Sequence, residues 1–352
     1  MVKDISLCVC CSAIVAVSAC KCINSRIHLL TTQFIIKGAP TILHIFDTDL
    51  TYYALNISSG DLITKQSIPL PGADLVELNG VILPSSTSDE FLLIGGNITD
   101  VGQSYIPIIW SYNVLTNTLV QKSFIDVKFQ QIYYQWGIQI ASYDSINNIV
   151  YLNADFKGYP VLLKFDYNQQ KEEVISLPGT GWYIQSSYNE TTNMCYLGGT
   201  NQVANQFSQM VVATYNSVTG NTSSHIITFD VPDSCYYSIA MYQYNSKFYA
   251  GLYGASGSCP SFIFEVDIVG NTTTLLATIQ KDNAAPFDSY IYFVFDNING
   301  YLAMVATSFL DYTKLEICMV NLNTYEVDQY TLPNILSKLN ADEEDFLMTL
   351  SN

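Results

Sequence analysis

The chain has 352 residues and a formal net charge of −17, from 31 acidic against 14 basic residues, with no cluster of Lys or Arg anywhere along it. Phosphate backbones and anionic membrane surfaces both call for a basic footprint, so the balance argues against nucleic acid and against direct adsorption to anionic lipid. Hydrophobic residues at 49% against 13% charged exclude a disordered chain and supply apolar material for strands buried on both faces.

Residues 1–19 read as a secretory signal peptide. Lys3 stands in a short basic region, an apolar run follows from Ile5 to Val17, and small residues precede a cut after Ala19. The run is shorter than the roughly 20 apolar residues a membrane span needs, which disfavours an N-terminal anchor, and no span is expected in the mature chain. Cys8, Cys10 and Cys11 leave with this segment, and Cys20, Cys22, Cys195, Cys235, Cys259 and Cys318 remain. An even number in an oxidising compartment permits three disulfides. Cys235 and Cys259 share one repeat and are the expected pair, whereas Cys195 and Cys318 fall inside strands and suit small buried hydrophobes. Cys20-Lys21-Cys22 has no second Cys/His pair with which to build a zinc site.

From residue 26 onward the chain reads as short apolar strands with turns between them. One turn recurs: an Asn or Asp ends a strand and a turn-tolerant residue follows four positions later, at Asn56/Gly60, Asn113/Asn117, Asp166/Gln170, Asn216/Gly220, Asp267/Asn271 and Asn321/Tyr325. The first members are spaced by 57, 53, 50, 51 and 54 residues. Before each turn lies an apolar strand such as Val161–Phe165 or Val211–Tyr215, and before that another, such as Asn148–Asn153 or Asn193–Gly198. In four repeats an aromatic followed by Asp or Asn opens the preceding turn, at Tyr143-Asp144, Tyr188-Asn189, Tyr244-Asn245 and Phe295-Asp296. The fourth strand runs into Pro or Asp, as at Leu177-Pro178 and Leu332-Pro333.

A repeat of this length made only of strands predicts an all-β fold, a single β-propeller of six four-stranded blades over residues 20–352. The blades are expected at about 26–71, 72–126, 127–178, 179–232, 233–281 and 282–333. Residues 334–352 are either an acidic tail, around Asp342-Glu343-Glu344-Asp345, or a closing segment that pairs with the first blade. The alternative is a seventh blade closed by the N- and C-terminal strands. The [DN]-x-x-x-[GN] turn after an apolar strand resembles the repeats of YVTN and quinoprotein-like propellers, and it covers nearly the whole mature chain. The resemblance implies the architecture and almost nothing about chemistry.

Five N-x-S/T sequons, at Asn56, Asn97, Asn189, Asn221 and Asn271, are expected glycosylation sites; four coincide with turns and Asn97 lies at a strand end. In a four-strand meander the second-to-third connection and the link to the next blade emerge on one face, where propeller ligand sites gather. Those segments carry Asp47, Asp49, Asp100, Asp155 and Asp311, and the aromatics Trp136, Trp182, Tyr236, Tyr237 and Tyr290. The aromatics are candidates for a stacking platform, or else they pack between blades. Asp47, Asp100, Asp155 and Asp311 could converge on Ca²⁺ or another divalent cation, or else they cap turns. Only His28, His44 and His225 are present, in separate contexts, and no G-x-S-x-G elbow, phosphate loop or dinucleotide fingerprint occurs. The composition favours a secreted, glycosylated, non-enzymatic module that binds a protein or glycan. The alternative is a metal-dependent propeller hydrolase or lyase with a cation at the channel mouth.

Overall fold

The computed structural model describes residues 39–351 apart from 48–49, 70–75, 83–88, 101–103, 125–140, 157–158, 179–181, 202–207, 233, 255–258, 280–288, 297–298, 309–313, 336–338 and 340–345. Six antiparallel sheets of four strands result. Blade I contains β1 (Ile42–Asp47), β2 (Thr51–Asn56), β3 (Leu62–Ser67) and β24 (Phe346–Ser351). Blade II is β4 (Val76–Ile82), β5 (Glu90–Asp100), β6 (Ser104–Asn113) and β7 (Thr118–Phe124). Blade III is β8 (Ala141–Asp144), β9 (Ile149–Phe156), β10 (Tyr159–Asp166) and β11 (Lys171–Ser176). Blade IV is β12 (Trp182–Asn189), β13 (Met194–Thr200), β14 (Gln209–Asn216) and β15 (Thr222–Thr228). Blade V is β16 (Tyr237–Tyr244), β17 (Lys247–Gly254), β18 (Ser261–Asp267) and β19 (Thr272–Ile279). Blade VI is β20 (Ser289–Asp296), β21 (Tyr301–Ser308), β22 (Lys314–Asn321) and β23 (Val327–Pro333).

The first strands of neighbouring blades lie against one another, β24 on β4, β4 on β8, β8 on β12, β12 on β16 and β20 on β24. They therefore surround the axis of a ring, and the fourth strands form its outer wall. The fold is a six-bladed β-propeller. Among the described residues there is no seventh sheet: the C-terminal segment enters blade I as β24, paired antiparallel with β1 from Ile42↔Ser351 to Asp47↔Phe346. Residues 26–38, read from the sequence as opening the first blade, lie outside the described residues.

The recurring turn is the hairpin between the third and fourth strands of each blade, and its chemistry is the same throughout. Asn113 Oδ1 accepts the N–H groups of Leu115 and Thr116 at 3.1 and 3.0 Å. Asn56, Asp166, Asn216 and Asp267 each accept two turn N–H groups in the same way, and Asn321 accepts that of Asn323. The fifth residue is left-handed in all six: Gly60, Asn117, Gln170, Gly220, Asn271 and Tyr325 have φ between 49° and 75°. The side-chain oxygen satisfies backbone donors that the reversal of the chain would leave unpaired, and the left-handed residue returns the chain into register. The turns between first and second strands reuse the device in blades III, IV and VI, with Asp144/Asn148, Asn189/Asn193 and Asp296/Gly300. Blade V substitutes a two-residue turn with Asn245 and Ser246 both left-handed.

The core is divided into six clusters of buried apolar side chains, one in each seam between adjacent blades. Alternation along a strand sends neighbours to opposite seams. Leu43 and Ile45 join Val305 and Ile317 of blade VI, while Phe46 joins Phe91 and Leu93 of blade II. Inner strands are thus buried on both faces, as in β14, and outer strands such as β3 alternate with solvent. Past β23, Ile335 and Leu339 are fully buried in the VI–I seam beside Leu315 and Leu350.

Cys235 and Cys259 form a disulfide with Cα atoms 5.8 Å apart, joining the entry of blade V to the far end of its β17–β18 connection across a sequence separation of 24. Closing a loop of that size restricts the unfolded chain by about 3 kcal/mol. The Cys235→Ala/Cys259→Ala protein should unfold at a correspondingly lower urea midpoint, and an unchanged midpoint would show that the bond adds nothing to the fold. The other two described cysteines are free and buried in different seams, Cys195 between blades III and IV and Cys318 between V and VI. Burial pushes the Cys195 thiol up to about 12 and raises that of Cys318, so both remain protonated and unreactive.

Candidate functional site

A four-strand meander places its first-to-second and third-to-fourth turns at one end and its remaining connections at the other. The propeller therefore has a turn face, on which most described hairpins are Asx-capped, and a loop face that carries the second-to-third connections and the links between blades. The link from β7 to β8 spans residues 125–140 and that from β19 to β20 spans 280–288, both outside the described residues.

The described aromatic candidates belong to the loop end. Trp182 opens β12, Tyr237 opens β16 and Tyr290 is the second residue of β20, while Trp136 lies outside the described residues. Tyr236 and Tyr237 divide their roles by alternation. Tyr236 is 60% exposed and adjoins the Cys235–Cys259 disulfide. Tyr237 is buried in the IV–V seam with its ring 6.0 Å from Phe262, so it packs between blades and offers no free face for stacking. The loop end also exposes Tyr159, the first residue of β10.

Of the carboxylate candidates, the side chain of Asp47 is the one described. Asp47 ends β1 and is buried; Oδ1 accepts the Thr51 N–H at 2.6 Å and Oδ2 the Tyr53 hydroxyl at 2.9 Å. That hydroxyl also lies 2.5 Å from the Leu339 carbonyl, so its one hydrogen is shared between two acceptors. Asp47 thereby ties the β1–β2 turn to the segment that leads into β24. Asp100 ends β5 and Asp155 pairs with Pro160 within the β9–β10 ladder, while Asp49 and Asp311 lie outside the described residues. Among the described residues no three His, Cys, Asp or Glu side chains gather closely enough to hold a metal ion.

Two features escaped sequence reasoning, and both are buried polar residues within strands. His44 is buried in β1, with Nδ1 2.8 Å from the Tyr52 hydroxyl and Nε2 2.7 Å from Ser351 Oγ of β24. Its ring also packs 4.9 Å from Phe91 of blade II. Burial lowers its pKa from 6.5 to about 4, so the folded protein holds it neutral. Between those values the unfolded chain takes up a proton that the folded chain refuses. Stability should fall as the pH drops below 6.5, by about 2 kcal/mol at pH 5, and this contribution should be flat above 6.5. Urea midpoints of wild type and His44→Phe between pH 7 and 5 check this: the slope should be confined to the protein that has the histidine.

The second feature is a set of buried amides in blades III to V. Gln185 of β12 accepts the Met241 N–H of β16 across the IV–V boundary. Its side chain lies beside the buried Tyr242 hydroxyl, and both amide atoms of Asn153 on β9 and Gln243 on β16 are buried without a hydrogen-bond partner among the described residues. An amide atom left unpaired in the interior costs about 1–3 kcal/mol. The signal in the sequence is a lone amide directly after an apolar run, as Asn153 after Ile149–Leu152.

Comparison with solved structures agrees with this architecture. The chain is similar to TolB from Acinetobacter baumannii, with TM-score 0.53, 9% identity and 88% of this chain covered; it spans 66%, just under two thirds, of the TolB chain. It is also similar to a chain of the nidogen/laminin complex, with TM-score 0.50, 7% identity, 88% of this chain and 98% of that chain covered. At such identities the likeness establishes the fold alone. No family model matches the sequence, and no curated protein matches it. Among the described residues no helix is long and apolar enough to cross a membrane.

Proposed function

We propose that this propeller is a secreted, glycosylated, non-enzymatic module that binds a protein or glycan through its loop face. The observation that carries the reading is Tyr236, a large amphipathic ring 60% exposed on that face and fixed at its root by the Cys235–Cys259 disulfide. Tyrosine supplies contact area with little conformational entropy to lose, and a disulfide beside it reduces that loss further. The disulfide, the sequons and the apolar segment at residues 5–17 together support an oxidising, secretory setting. Nidogen, one of the structural neighbours, was crystallised as a complex with laminin, a precedent for this fold holding a protein partner.

The test is a binding screen of the secreted protein against a glycan array and a panel of extracellular domains. Tyr236→Ala should weaken the interaction found at least tenfold, while Val218→Glu on the turn face should leave it unchanged. Loss of binding by the turn-face variant with Tyr236→Ala unaffected would overturn the assignment of the loop face.

A further inference from the structure

We propose that Asn221 and Asn271 carry N-linked glycans which, with Asn56 and Asn189, cover the turn face over blades I, IV and V and shield the exposed valines of two turns. This rests on the secretory reading above. Topology sorts the sequons. Asn56 opens the β2–β3 turn, Asn189 opens the β12–β13 turn, Asn221 follows Gly220 at the end of the β14–β15 turn, and Asn271 closes the β18–β19 turn. All four turns emerge on the same face, whereas Asn97 lies within β5 on the way to the loop end.

The side chains are suited to the modification. Asn221 and Asn271 are exposed and their amides make no hydrogen bond within the described residues. Asn56 and Asn189 use Oδ1 to accept turn N–H groups, and the attachment atom Nδ2 takes no part in those bonds. The donor is a polyprenyl-diphosphate-linked oligosaccharide. The bond from sugar C1 to the diphosphate oxygen breaks, a bond from C1 to Nδ2 forms, the amide nitrogen gives up one proton, and polyprenyl diphosphate leaves. The Oδ1 cap of the turn survives this exchange.

What the glycans would cover is apolar. Val218 is 75% exposed and stands three residues before Asn221, and Val269 is 93% exposed and stands two residues before Asn271. Leu115 and Ile146, at 74% and 69%, occupy matching turn positions in blades II and III, where no turn carries a sequon. They are the internal comparison, because their exposure should not change with glycosylation.

The full chain is produced in a eukaryotic secretory host and its glycopeptides are mapped by mass spectrometry after release with peptide N-glycosidase in H₂¹⁸O, which hydrolyses the Asn–sugar amide bond and leaves an ¹⁸O-labelled Asp. Protein in the medium with label at Asn221 and Asn271 supports the inference. Protein in the medium with both sites unlabelled overturns it and leaves the secretory reading standing. Protein retained in the cytosol overturns both. The shielding is tested on Asn221→Gln/Thr273→Val, in which Thr273 is replaced because Asn271 itself holds a left-handed φ of 52°. This variant should bind a hydrophobic dye several-fold more strongly than the glycoprotein, and adding Val218→Ser/Val269→Ser should reverse the gain. Equal dye binding by this double variant and the glycoprotein would refute the shielding.

Discussion

Ending the chain at residue 345 should leave no cooperatively folded ring. The deletion removes β24, the inner strand of blade I, and with it six register pairs along β1. It also takes away Leu350, fully buried in the VI–I seam, and Ser351, the partner of His44 Nε2. The inner edge of β1 would then be unpaired, and the seam between the first and last blades would lose one wall. Domains are stable by only about 5–15 kcal/mol, so losing a whole strand from a closed ring exceeds what the remaining contacts can absorb. Leu350→Ala gives a graded version, with an expected cost of about 3 kcal/mol. Urea unfolding followed by fluorescence and far-UV circular dichroism checks both. A truncated protein with the full-length midpoint would show that the ring does not depend on this closure.

Gly300→Ala should be the most damaging single methyl addition in the described turns, at about 2–4 kcal/mol. Two costs combine. Gly300 holds φ at +75°, where any Cβ is strained by about 1 kcal/mol. A Cβ there would also lie 2.3 Å from the ring of Tyr244, which closes β16 in the neighbouring blade. Forcing that ring aside is an overpacking cost of about 1–3 kcal/mol. Gly220 provides the control, since it has the same φ of +75° with nothing within 4 Å of its virtual Cβ. Gly220→Ala should therefore cost only about 1 kcal/mol. Gly300→Asn separates the two costs further, because asparagine accepts the left-handed backbone and still carries the offending Cβ. It should be nearly as harmful as Gly300→Ala. Equal midpoints for the Gly300→Ala and Gly220→Ala proteins would mean that Tyr244 yields freely.

The blades were legible in the sequence because their turns are local. An Asn or Asp and a left-handed residue four positions later lie within one hydrogen-bonded reversal, so Asn113/Asn117 or Asp267/Asn271 can be read without knowing what either strand packs against. The same motif at Asp144/Asn148 and Asp296/Gly300 is marked in the sequence at its start by the aromatic-Asp pair, while the left-handed fifth position depends on backbone geometry. Pairing between β1 and β24 joins residues about 300 positions apart, and no local pattern distinguishes that strand from an acidic tail. Tyr236 and Tyr237 show the limit at the candidate site. Their chemistry is alike in the sequence, and only the register of β16 decides which ring meets solvent and which meets Phe262. His44 interrupts an apolar strand and Gln185 sits in a mixed one, but what they bond to, Ser351 and Met241, is set by assembly of the ring.

Dividing the core among six seams has a consequence for how the protein is made. Five of the seams can be filled in order as the chain emerges, each new blade resting on the one before it. The VI–I seam has to wait until β24 has been synthesised, after every other strand. Until then the nascent protein is an open arc whose two end blades each present a bare apolar side. The Cys235–Cys259 bond lies within one blade and can form during that interval, so oxidation can precede closure and does not depend on it.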